Sequence, residues 1–127
     1  NEVYGGNNLG GTNSTSNVII NGGKVTNVYG GGNKAVTTKP NVTIQNDANI
    51  LESVYGGGNQ AEVTTPTVTI NDGNNENVYG GGNQAEVTDS TVTVKGGKNQ
   101  CFFISASCRP FYRSAEALSA CISRLPV

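Results

Sequence analysis

Glu62 and Glu86 hold the same place in two copies of the string GGGNQAEVT, which start at residues 56 and 80. Carboxylates at matched places can share a cation. No other acid aligns with this pair to complete a coordination shell, and like charges placed opposite one another repel. Solvated glutamates on a polar face are the simpler reading. The chain has no histidine, so neither a Ser-His-Asp nor a Cys-His arrangement can be assembled. The three cysteines, Cys101, Cys108 and Cys121, match no zinc spacing. Being odd in number, they permit at most one bridge within the chain. The glycine runs invite a phosphate-loop reading, but such a loop needs Lys and Ser/Thr after its glycines and a helix behind them. Here GGGNQAEV leads into a strand pattern. No catalytic, cofactor-binding or metal-ligating residue is expected.

The remaining candidate for ligand contact is aromatic. Tyr4, Tyr29, Tyr55 and Tyr79 each follow a valine, in VYGGNN at 3–8 and VYGGGN at 28–33, 54–59 and 78–83. With Val inward, period-two alternation turns Tyr outward. A row of outward rings can stack on sugar rings or on one another. Thr67, Thr69, Thr91 and Thr93 form two outward T-x-T pairs, which ordinary β-propensity explains. Calcium β-rolls repeat about every nine residues, whereas Ala61 and Ala85 stand here where the acid would be, and Asp72 and Asp89 do not match in position.

What positions these residues is the repeat. The opening valines Val3, Val28, Val54 and Val78 are 25, 26 and 24 residues apart. Such a period indicates a solenoid or propeller-like array. Fourteen residues after Val28, Val54 and Val78 come the apolar pairs Val42/Ile44, Val68/Ile70 and Val92/Val94, and Val18/Ile20 follows Val3 by fifteen. NVTI, TVTI and TVTV alternate as half-buried strands. Ala35, Ala61 and Ala85, with Val63 and Val87 two residues on, suggest a third short strand between them. Pro40 and Pro66 precede the last strand, as a missing donor favours. The extra pair of residues in QNDANILES falls in one corner. The glycines after Tyr are expected to supply positive φ for tight corners. Asn33, Asn59 and Asn83 are expected to hydrogen-bond to their equivalents above and below. The fold expected is all-β: a parallel β-helix of about four rungs, ~4.8 Å apart, at 3–27, 28–53, 54–77 and 78–100.

Residues 101–127 form an atypical tail. All eighteen glycines lie at or before Gly97, and all cysteines, phenylalanines and arginines lie after Gln100. Phe102 and Phe103 fall where Val and Tyr should stand, and Ser114 would cap a short helix over 114–125. The tail is either a cap or a non-native continuation such as a frame-shift product. The start at Asn1 suggests a fragment or processed product. No basic region followed by an apolar stretch marks a signal peptide, and no apolar run reaches the ~20 residues of a membrane span. A net charge of −1 gives no electrostatic case for nucleic acid.

The pattern V-T-I-x-x-G-x-x-x-x-V-Y-G-G-G-N-x-A-x-V-T over residues 1–100 resembles repeats in large surface or secreted, adhesin-like proteins of bacteria. That resemblance implies a β-solenoid stalk outside the cell or on its surface, neighboured by further repeats of a longer chain. The function expected is structural and non-enzymatic. The first alternative is a glycan-binding adhesin module using the Tyr and Thr face. The second is a fragment of a β-helix polysaccharide-degrading enzyme, which would require clustered acids and bases.

Overall fold

The structure, a computed structural model, describes residues 1–85, 87, 89–103 and 110–112. Ten strands follow in order: β1 (Glu2–Tyr4), β2 (Thr12–Asn21), β3 (Lys24–Tyr29), β4 (Val36–Gln45), β5 (Asn49–Tyr55), β6 (Thr67–Ile70), β7 (Asn74–Tyr79), β8 (Thr91–Val94), β9 (Lys98–Phe103) and β10 (Pro110–Tyr112). They form two five-stranded parallel sheets, ordered β1-β3-β5-β7-β9 and β10-β8-β6-β4-β2. The chain alternates between the sheets and advances one strand at each return. That is a parallel β-solenoid of about four turns. Among the described residues no helix is long and apolar enough to cross a membrane.

Register follows the repeat. Val3, Val28, Val54 and Val78 pair in succession along one sheet. In the other, Val18, Val42, Val68 and Val92 form one column, and Ile20, Ile44, Ile70 and Val94 the next. Both columns are buried, with Val68, Ile70 and Val92 wholly inaccessible. Because side chains alternate across a strand, Thr43, Thr69 and Thr93 lie on the other face, half-buried among neighbouring rungs.

Three expectations need correction. The middle piece is not a strand of its own. Thr37, Val63 and Val87 are linked only by isolated bridges, and in the first two turns the ten-residue β2 and β4 run through it. Pro40 therefore lies inside β4, opposite Ser16. Next, the extra pair of residues in the second turn does not fall in one corner. Gln45 to Asn49 holds one residue more than Asn21 to Lys24. The other is a bulge in β5, where Ile50 to Ser53 spans what Val25 to Asn27 and Asn75 to Asn77 span. Finally, no glycine of the VYGGGN runs has positive φ. That conformation occurs at Gly11, Gly22, Gly23, Gly73 and Gly97, and at Asn46 and Asp47. Among the described residues seven therefore turn left-handed, six of them at the corner leading from an even strand to the next odd one, and none in a VYGGGN run.

The glycine runs are needed for a different reason: there is no space for a Cβ. A Cβ on Gly56 would lie 2.5 Å from the carbonyl oxygen of Gly80, and one on Gly57 2.8 Å from the amide nitrogen of Gly82. A Cβ on Gly30 would strike the carbonyl oxygen of Gly56 in the same way. Backbone hydrogen bonds hold the coils at this distance, from Gly30 N to the Tyr55 oxygen (2.9 Å) and from Gly57 N to that of Gly81 (3.0 Å).

β9 carries the register past Gln100, pairing Phe102 with Val78 and Phe103 with Tyr79, as the spacing predicts. The repeat pattern ends at Ile104 in the sequence, yet β10 adds to the second sheet with Phe111 opposite Thr93. The helix expected over 114–125 lies outside the described residues, as do Cys108 and Cys121.

Two stability measurements check this architecture. In chemical denaturation, Ile70→Ala should cost about 2–5 kcal/mol, as for other buried Ile→Ala changes, and Thr69→Ser much less. Gly57→Ala should cost about 1–3 kcal/mol, the range for overpacking a tight site. Gly10→Ala, where nothing lies within 4 Å of the new Cβ, should stay within about 0.5 kcal/mol of the parent.

Candidate functional site

Each odd strand through the fourth turn ends on tyrosine, so parallel pairing sets Tyr4, Tyr29, Tyr55 and Tyr79 one above another. Their rings stack face to face, with centroids 4.6, 4.9 and 5.0 Å apart and planes within 4°, 5° and 10° of parallel. That is the strand spacing, so aromatic stacking and backbone pairing impose the same distance. Tyr29 is only 4 % exposed, while Tyr4, Tyr55 and Tyr79 are half-buried. The outward row expected from alternation is thus a closed stack. The facing rings cover one another, and what faces solvent is chiefly their edges. The Tyr4 hydroxyl donates to Glu2 Oε2 at 3.0 Å. Burial raises the Tyr4 hydroxyl above its ordinary range, and the Glu2 carboxylate adds to this. Burial pushes Tyr29 up to about 12, reinforced by the charges of Tyr4, Glu2, Tyr55 and Glu52.

Beside the rings runs a column of amides. Asn33 Nδ2 donates to Asn8 Oδ1 (2.8 Å), Asn59 to Asn33 (2.8 Å) and Asn83 to Asn59 (2.9 Å). A side-chain amide carries both donor and acceptor, so identical residues can form an unbroken ladder. Shorter ladders join Asn41 to Asn17 (3.1 Å) and Gln45 to Asn21 (3.1 Å) on the far sheet. Glu62 is exposed, and Glu86 lies outside the described residues.

Two polar features escaped the reading of the sequence. Asp47 and Asp72 each stand two residues before paired Asn49 and Asn74, so they occupy matching corners. With Gly73, Asn74, Gly97 and Lys98 they line an open hollow of about 240 Å³. The extra residue in the corner after Gln45 hides this alignment from simple counting. Two carboxylates and an ammonium group do not make a metal site, and among the described residues no three acidic, Cys or His side chains gather to hold an ion. The second feature is Asn75, which replaces Val25 and Ile50 in an inward column and is wholly buried. Its Nδ2 donates to Asn99 Oδ1 (2.8 Å), while its Oδ1 has no partner among the described residues. Only a residue-by-residue register, with the β5 bulge included, would have placed it inside.

The chain was compared with protein-family models, curated proteins and solved structures, and none matches.

The tyrosine stack yields a pH prediction. The folded pKa of Tyr29, about 12, exceeds the ~10 of a free tyrosine. The neutral ring is therefore favoured in the folded state, and its contribution to stability is complete below about pH 10. It should be lost as pH rises from about 10 through 12. Ultraviolet titration should show one tyrosine ionising together with alkaline unfolding, and Tyr29→Phe should shift that unfolding to higher pH.

Proposed function

We propose that this chain is a non-catalytic structural segment, a β-solenoid stalk of a bacterial extracellular or cell-surface protein. The observation that supports it most directly is where the repeated polar and aromatic groups point their interactions. The tyrosine faces meet tyrosine faces, and the amides of Asn8, Asn33, Asn59 and Asn83 meet one another. Residues repeated in this way serve to join one coil to the next. They make a unit whose natural partner is another coil, and whose length is set by coil number. Placement outside the cell rests on the resemblance of the VYGGGN repeat to bacterial surface proteins.

The adhesin reading requires a sugar to use ring faces already held within the stack. A glycan array probed with the full chain decides between the two. The stalk reading expects no saturable signal. A glycan signal that disappears when Tyr29, Tyr55 and Tyr79 are together replaced by Leu, in a chain that still shows β-structure by circular dichroism, would overturn it in favour of an adhesin.

A further inference from the structure

The four copies of the repeat motif differ at one backbone-critical place. The third residue after Tyr is Gly32, Gly58 and Gly82 in three coils, and Asn7 in the first. Added Cβ atoms on those glycines would lie 2.6, 2.6 and 2.7 Å from the carbonyl oxygens of Asn7, Gly32 and Gly58 respectively. In each case the oxygen belongs to the same position of the preceding coil. The contact is with backbone, so it cannot be relieved by turning a side chain. Hydrogen bonds hold that carbonyl in place: Asn33 N donates to Asn7 O (3.1 Å), Asn59 N to Gly32 O (3.1 Å) and Asn83 N to Gly58 O (3.0 Å).

Asn7 carries the Cβ that this geometry forbids. We propose that Asn7 makes the first coil a stop, which no further VYGGGN coil can precede. Whatever polypeptide lies ahead of Asn1, it does not continue the stack in register. The first coil is also rebuilt to accept Asn7. Where later coils have Ala35 or Ala61, whose carbonyl would also crowd a Cβ on the third glycine, this one has Gly10 in open space and Gly11 at φ 88° beneath the Asn7 amide. Terminal units of solenoids depart from the repeat because their outer face must not template another. Here the obstructing departure is a single side chain, and it closes the stack on the side of β1 and β2. This deepens the stalk reading, and it is tested separately, since glycan binding would sink that reading without altering the outcome below.

The test places a coil where Asn7 should refuse it. Residues 54–75 are duplicated ahead of Asn1 in the full chain, which gives the added Val-Tyr pair the same 24-residue step as Val54 to Val78. Three versions are made, with Asn7 unchanged, with Asn7→Gly and with Asn7→Ala. The readout is hydrogen exchange at the amides of Asn8 and Leu9. Their counterparts Asn59 and Gln60 donate to the coil before, at 3.1 and 2.7 Å. Docking of the added coil should slow both amides at least about tenfold. Slowing is expected with Asn7→Gly alone. Asn7→Ala should behave as Asn7 does, because the Cβ is what obstructs. Retained β-structure in an unextended Asn7→Gly chain shows that the variant folds. Equal protection in all three versions would overturn the proposal. So would its absence from the Asn7→Gly version, since the obstruction would then lie elsewhere in the first coil.

Discussion

The close approach of one coil's backbone to the next at the glycine corner governs the rest of the molecule. At Gly30/Gly56 and at Gly57/Gly82 the coils meet with no Cβ between them. Glycine is costly there, since each one loses more chain entropy on folding than alanine by about 0.5–1 kcal/mol. The return is a corner that keeps the same spacing as the strands on either side. A corner held open by Cβ atoms would splay the coils, and the columns that depend on equal spacing would lose contact. The tyrosines are 4.6–5.0 Å apart because the corner beside them permits it.

Equal spacing then selects which side chains can repeat. Parallel in-register pairing sets each residue against its own kind, so a repeated side chain must attract itself. Valine and isoleucine do so by burial, tyrosine by stacking and asparagine by amide ladders. Lysine and glutamate repel themselves at this distance. A chain with only 13 % charged residues is consistent with that restriction. Asn75 shows the same rule inside the coil: it enters an apolar column, and its donor finds the amide of Asn99 one turn on.

Much of this was legible in the sequence because identical spacing becomes stacking in a parallel coil. The fourteen-residue step from Val54 to Val68 placed both inward columns, and the fixed position of Asn33, Asn59 and Asn83 predicted their ladder. What was not legible depended on local backbone geometry. A glycine required for positive φ and a glycine required for close approach look alike as letters, and the runs after Tyr proved to be the second kind. The long β2 and β4 were missed because Thr37 holds a place where later coils have Val63 and Val87. The matched Asp47 and Asp72 were missed because one residue is inserted in the corner after Gln45 and none in the corner after Ile70. In β5 the bulge absorbs the other insertion without disturbing Val54 or Tyr55, so counting from either side gives a correct register and hides the irregularity between.

A uniform repeat contains no instruction to stop, so its ends must be written as departures from it. The departures in this chain do not fall at random. The Val and Tyr places are kept at the first coil, by Val3 and Tyr4, and their backbone register is kept after the fourth, by Phe102 and Phe103. What changes at the first coil is the glycine run, to Gly5-Gly6-Asn7. A strand can pair on one side whatever its side chains are, whereas a corner can be approached from the far side only if its Cα atoms are bare. Losing the third glycine at the first coil therefore leaves that coil attached to the second, because the Cβ there points the other way, and removes its ability to accept a coil ahead of it. The same constraint that holds the interior together thus supplies the means of ending it, and a single Cβ at Asn7 suffices.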